Sequence, residues 1–305
     1  MRKKYFTKND FLFSLVNLFV DFLQKVTEFF DSNSFTMGFF VIQKNLVAMI
    51  PKQLTIDLNA DLGEYQTENQ YFLECQILNH ISTCNIACGG HTGDEESMKK
   101  IIIACKEKGV AIGAHPSYPD PEGFGRQKMK IDESTLKKSL IDQVCSFLNV
   151  SEALNVPASH VKLHGRLYND VASNSNLAYL LISVVNEINP DLSIVGPPNS
   201  ILADVAKKSG SSFVSEAFLD RRYKDDGSLV NRGHSGAVLE TITERCEQAE
   251  SIVCNWTVKT ESEQFIDIQA ETLCLHGDSS DALKTAQMVR LLFESKNIEI
   301  KSFAA

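Results

Sequence analysis

The sequence predicts an α/β fold, a parallel β/α barrel of seven strands, irregular and not fully closed. Three observations carry this. Short apolar runs alternate with helical stretches seven times between residues 54 and 295, the pattern that buries a parallel sheet under helices. Four stretches end in a histidine: NIACGGH at His91, VAIGAH at His115, HVKLH at His164 and ETLCLH at His276. Ionisable residues follow six of the seven strands. An open doubly wound sheet gathers its site at one switch point, whereas a barrel draws on most of its strand ends.

The elements follow in order. LTIDLNA (54–60) reads as the first strand, and residues 68–81 have helical spacing. CNIAC (84–88) is a second strand, with a helix over 95–108. VAIGA (110–114) is the third, followed by a Pro- and Gly-rich loop and a long helix over about 132–154. HVKL (160–163) is the fourth, with a helix at 175–188. LSIVG (192–196) is the fifth, with a helix at 201–208. SFVSEAF (212–218) is the sixth, followed by a polar loop, 221–236, and a helix over about 237–252. ETLCL (271–275) is the seventh, and 280–295 the closing helix. Each crossover is expected to be right-handed.

The strand ends carry the chemistry. NADLGE supplies Asn59, Asp61 and Glu64 after the first strand. The second strand contains Asn85, and GGHTGD after it supplies His91 and Asp94 beside glycines that let backbone N–H groups approach an anion. AHPSYPDPEGFGR after the third supplies His115 and Arg126, a side chain suited to gripping a carboxylate with two hydrogen bonds. Lys162 and His164 alternate at the end of the fourth strand, so both can point into the barrel. Glu216, Asp220 and Arg221 belong to the sixth, and His276 and Asp278 to the seventh.

Each residue also has a plainer reading. One strand-end histidine is usually a hydrogen-bonded structural residue, but four buried imidazoles without purpose would be costly. Asp94 and Asp278 can serve as helix caps. Glu216 and Lys162 lie in apolar strands, which requires burial with a partner or a shifted pKa, and both point to function. The 221–236 loop reads either as a lid or as a solvated connection. His80, His160 and His234 fall outside the strand-end pattern and read as structural.

Composition removes several function classes. The net charge is −9, and no basic cluster is interleaved with aromatics, which argues against a nucleic-acid partner. The eight cysteines include no CxxC pair and several lie in apolar runs, as buried free thiols do in a reducing cytoplasm. There is no P-loop and no strand–GxGxxG–helix unit. Aspartate with several histidines suits a divalent metal, although no HExxH-type spacing supports one.

Residues 1–53 read as a separate extension and 54–305 as one catalytic domain. Ten of the 18 phenylalanines lie at or before Phe40, and the extension carries seven basic and four acidic side chains. Its basic start and apolar run resemble a signal peptide. However, Asp21, Lys25 and Glu28 interrupt the run too early for a membrane span. Phe11, Val16, Phe19, Leu23, Val26 and Phe30 follow helical spacing, so an amphipathic helix is expected. A start at Met49 would leave a compact domain of 257 residues, making the extension dispensable.

The motifs IDLNADLGE, NIACGGHTGD, GAHPSYPDPEGFGR, VKLHGRLYN, EAFLDRRY and CLHGD, in this order, resemble the LamB/YcsF family over about residues 54–303. The resemblance implies a glycoside hydrolase/deacetylase-like barrel. It also implies opening of the 5-oxo-L-proline lactam to L-glutamate, coupled to ATP hydrolysis, with the B and C subunits of a 5-oxoprolinase as partners. A homo-oligomer is compatible with it. The chain has Gly90 where the family has Phe, Thr92 for Ala, Leu163 for Pro, Arg166 for Ala and Gln127 for the second of two Arg. No strand-end His, Asp or Glu is lost.

Under this reading the catalytic set is Asp61, His91, Lys162, His164, Glu216 and His276. The substrate-binding set is Asn59, Glu64, Asn85, Asp94, His115, Arg126, Asp220, Arg221 and Asp278. A base near Asp61, His91 and Glu216 would activate water. Lys162, with His164 or His276, would stabilise the oxyanion. Arg126 or Arg221 would hold the substrate carboxylate. Two other readings remain at this point: a metal-dependent deacetylase or amidohydrolase on the same barrel, and a non-catalytic binding subunit of a carbohydrate- or lactam-metabolising complex.

Overall fold

The computed structural model describes residues 53–279 and 281–304. The helix expected within 11–30, and Met49, lie outside them. Seven parallel strands form the ring: β1 (Thr55–Leu62), β2 (Thr83–Ala87), β3 (Ala111–His115), β4 (Ala158–Lys162), β5 (Ser193–Gly196), β6 (Phe213–Phe218) and β9 (Thr272–His276). Between the last two, β7 (Thr257–Lys259) and β8 (Phe265–Asp267) make a small antiparallel hairpin. A short β10 (Glu299–Ile300) pairs with the first residues of β1.

The ring closes, contrary to the sequence expectation. β9 pairs with β6 and also with β1, where Asp57 to Asp61 run beside Thr272 to His276. The irregularity that remains is local. The register between β3 and β4 shifts at Ile112/Gly113, where the His160 ring stands so close to Gly113 that an added Cβ would lie 2.3 Å from it.

Eight helices among the described residues wrap the ring: α1 (Glu68–Ile77), α2 (Glu95–Lys108), α3 (Glu133–Ala153), α4 (Gly165–Ser173), α5 (Ser175–Ile188), α6 (Ile201–Ser209), α7 (Ile242–Asn255) and α8 (Ala282–Ser295). α2 shows why they form where they do. Asp94 and Ser97 make a reciprocal capping box, Glu95 and Glu96 sit in the first turn, and Lys106 and Lys108 in the last, each sign favourable to the helix dipole. Met98, Ile101, Ile102 and Cys105 make the buried stripe, and Gly109 ends the helix with φ +67°. α1 stops at Ile77, short of the expected 81. α4 was not expected; it opens directly after His164. No helix among the described residues is long and apolar enough to cross a membrane.

β1 explains the character of the barrel. Ile56, Leu58, Ala60 and Leu62 join the apolar layer beneath the helices. The intervening Asp57, Asn59 and Asp61 are equally buried and, by strand alternation, face the ring's interior. This interior is therefore polar, and each group in it needs a partner.

Candidate functional site

The partners are arranged in three levels along the barrel. Lowest, Asp57 accepts hydrogen bonds from Ser82 (2.6 Å) and Thr83 (2.5 Å), and from Thr272. Burial pushes its pKa up to about 6, against the opposing effect of these hydroxyls. Above it, Asn59 donates to Glu216 at 3.0 Å and to Thr272 at 2.7 Å. Asn85 donates to Asn59 at 2.7 Å and to Asp61 at 2.8 Å, and its own Oδ1 lies 2.7 Å from His160 Nε2.

The third level holds the charges. Lys162 Nζ lies 2.7 Å from Asp61, 2.9 Å from Glu216 and 3.0 Å from Cys274 Sγ. Burial works against the ammonium, but Asp61, Cys274 and Glu216 hold its pKa well above the ordinary lysine value. Burial likewise opposes the Asp61 carboxylate, yet His115 and Lys162 hold its pKa well below the usual range. Glu216 Oε2 is buried with no hydrogen-bond partner.

Three imidazoles cap this level with Glu64. His91 and His164 stack face to face, 3.6 Å between centroids and 4° between planes, and His115 stands edge-on to both. His91 Nε2 lies 3.0 Å from Glu64, His164 Nδ1 3.4 Å from the same oxygen, and His115 Nε2 3.0 Å from His164 Nδ1. Burial lowers the His91 pKa to about 3 and that of His164 well below the imidazole range. Glu64 is raised to about 7, again by burial first. These four side chains offer the donor set that can hold a metal ion.

The loops that place them are locked from behind. Glu74 on α1 accepts from the backbone N–H groups of Gly63 (2.7 Å) and Glu64 (3.1 Å), fixing the turn after β1. The 116–126 loop meets β4 through His164 N–H to Pro116 O at 2.8 Å and Arg166 N–H to Gly125 O at 2.8 Å. Gly165 has φ +60°, and an added Cβ would fall 2.6 Å from Gly125 O, so glycine is required there. Gln143 on α3 clasps Ser117 through both backbone groups.

At the mouth, His276 Nδ1 lies 2.9 Å from Asp220, and Asp220 also accepts the His276 backbone N–H at 3.1 Å. Burial opposes the Asp220 charge, but His276 outweighs it and brings the pKa down to about 2. Asp278 pairs with Arg126 at 2.5 Å and with Arg232 at 3.0 Å.

The structure thus gathers Asn59, Asp61, Glu64, Asn85, His91, His115, Lys162, His164 and Glu216 into one buried network, with Arg126, Asp220, His276 and Asp278 at its mouth. Two expected residues stand apart. Asp94 is exposed, and its carboxylate is spent on the N-terminus of α2. Arg221 is buried, and its guanidinium donates to Val230 O at 2.7 Å and Ala237 O at 3.3 Å, which ties down the 221–236 loop.

Sequence reasoning missed Asp57, Glu74, Arg232 and the inward place of His160. The every-second-residue repeat of Asp57, Asn59 and Asp61 was a usable signal for the first. Arg232 lies in an irregular loop and gave none.

Comparison with known proteins gives this site a context. The LamB/YcsF family model matches residues 56–305. The chain belongs to the LamB/YcsF family. A 5-oxoprolinase A subunit from Pyrococcus horikoshii is 35% identical over 247 residues, 81% of this chain and 97% of that protein. The 5-oxoprolinase A subunit numbered 1 from Agrobacterium fabrum is 37% identical over 250 residues, 82% of this chain and 98% of its own. The crystal structure of a lactam utilization protein from Thermus thermophilus superposes with a TM-score of 0.75 at 30% identity, covering 82% of this chain and all of that one.

The turn that carries His91 is tightly packed at Gly90. Gly90 stands against Gln143 and Ser117, and an added Cβ would lie 2.2 Å from the Gln143 amide oxygen. The clasp between Gln143 and Ser117 occupies the space that a larger residue at position 90 would need.

Proposed function

We propose that the chain is the A subunit of an ATP-dependent 5-oxoprolinase and opens the lactam of 5-oxo-L-proline to L-glutamate together with subunits B and C. The observation that carries the reading is the buried network of Asp61, Lys162, Glu216 and three histidines at the strand ends of the ring. It stands in a chain that aligns with nearly the whole length of the 5-oxoprolinase A subunits.

A lactam is a poor electrophile, and ATP supplies the activation as co-substrate of the complex. Transfer of its γ-phosphoryl group to the lactam oxygen forms the O–P bond and releases ADP. Water adds to the activated carbon, the C–N bond breaks, and the nitrogen takes a proton. The resulting acyl phosphate and a second water give glutamate and phosphate. Lys162 faces the negative charge that develops on the carbonyl side. Glu216, with one carboxylate oxygen unpartnered, accepts the proton of the attacking water. Arg126 and Arg232 hold the substrate carboxylate in place of Asp278. Eight free thiols suit a reducing cytoplasm.

The test is glutamate release with subunits B and C and ATP present. Glu216→Ala and His164→Ala are expected to lower turnover by about 10²-fold or more. Unchanged turnover in both would sink the proposed site.

A further inference from the structure

His115 Nε2 and His164 Nδ1 face each other, the former also 3.4 Å from Asp61 Oδ2 and the latter 3.4 Å from Glu64 Oε1. His115 Nδ1 lies 2.8 Å from Lys162 O, and His164 Nε2 lies 3.1 Å from Phe124 O. A carbonyl oxygen only accepts, so each of these nitrogens carries the ring's proton. In the neutral rings the opposing nitrogens, His115 Nε2 and His164 Nδ1, then both present lone pairs, 3.0 Å apart. Two lone pairs at that distance need a positive centre between them, either a proton or a metal ion.

The surroundings fit a metal ion. A tetrahedron with bonds of about 2.0–2.1 Å has edges of roughly 3.3–3.4 Å. The contacts His91 Nε2 to Glu64 Oε1 (3.0 Å), Glu64 Oε1 to His164 Nδ1 (3.4 Å) and His164 Nδ1 to His115 Nε2 (3.0 Å) join the same four atoms in a chain of such edges. One donor atom from each of the four residues lies within 4.8 Å of those of the other three. Small outward rotations of the rings would bring the shorter edges to the required length. The carbonyl acceptors behind His115 and His164 are the outer partners that metal-bound imidazoles use to fix their orientation.

We propose that Glu64, His91, His115 and His164 bind one divalent transition-metal ion, Zn²⁺ or an ion of similar ligand preference. The donor set is three neutral imidazoles and a carboxylate, which favours such ions over Mg²⁺ or Ca²⁺. The proposal stands on the side chains alone and holds whichever reaction the barrel performs.

The experiment uses the full chain, stripped with a chelator, dialysed, and titrated with ZnCl₂ alone and CoCl₂ alone. Bound metal is measured by elemental mass spectrometry, and the cobalt form by its visible absorption. One ion per chain is expected, with the intense visible band of low-coordinate Co²⁺. Glu64→Gln and His164→Gln, checked for retained fold by circular dichroism, should each weaken binding at least tenfold. His234→Ala, an exposed histidine outside the cluster, should bind as the wild type does. A wild-type chain that retains no ion, as expected if a proton bridges His115 and His164, overturns the proposal. So does full retention by both folded cluster variants.

Discussion

The Lys162 ammonium sits 2.7 Å from the Asp61 carboxylate, and both groups are sealed inside the ring. A buried pair of this kind costs much in lost hydration, but breaking it costs more, because the survivor keeps its charge without its partner. Lys162→Met strands both Asp61 and Glu216 and is expected to destabilise the chain by about 3–5 kcal/mol. The Lys162→Met/Asp61→Asn double variant should recover part of that loss. Urea unfolding of both single variants, Lys162→Met and Asp61→Asn, and of the double variant beside the wild type measures the coupling. Strictly additive effects would show that the two groups do not support each other.

Asp57 makes the barrel floor sensitive to pH. Its pKa rises from 3.8 in the unfolded chain to about 6 in the folded one, so the folded state binds the extra proton. The stability gained from it is fully present below about pH 3.8 and is lost as the pH rises through 6. The shift corresponds to about 3 kcal/mol. Asp57→Asn removes this contribution. The difference in unfolding free energy between wild type and Asp57→Asn should therefore change by about that amount between roughly pH 4 and pH 7, with the wild type losing ground. Parallel pH profiles for the two proteins would refute the assignment.

Arg126 and Arg232 share the Asp278 carboxylate at the mouth. If they hold the substrate carboxylate, their loss weakens ground state and transition state alike. Arg126→Ala and Arg232→Ala are each expected to raise KM for 5-oxo-L-proline about tenfold with little change in kcat. Steady-state kinetics in the presence of ATP and the partner subunits separate the two constants. A fall in kcat at constant KM would assign the arginines to the chemical step instead.

Much of the site was legible before the fold. Short apolar strands ending in histidine, and Glu216 and Lys162 set within apolar runs, marked the residues that the ring brings together. Local chemistry was enough for this, because a buried charge in a strand has few explanations. Asp94 and Arg221 show where local chemistry fails. Asp94 sits in a glycine-rich turn beside His91, yet its side chain turns to Ser97 and the helix that follows. Arg221 neighbours Asp220, but strand alternation ends there and its guanidinium folds back onto the loop it introduces.

By itself the sequence determined the seven β/α units, their order and the ionisable residues at their ends, since periodicity and capping are local properties read along the chain. Tertiary structure alone decided what those residues do to one another. Closure of the ring places Asp61 beside His276 on the neighbouring strand, and the absent side chain of Gly113 makes room for the His160 ring beneath Asn85. The meeting of His115 with His164, 49 positions apart in the chain, likewise depends on strand register and loop packing. Tautomer, charge and metal affinity at the site follow from distances between residues remote in sequence, and only the packed fold sets those distances.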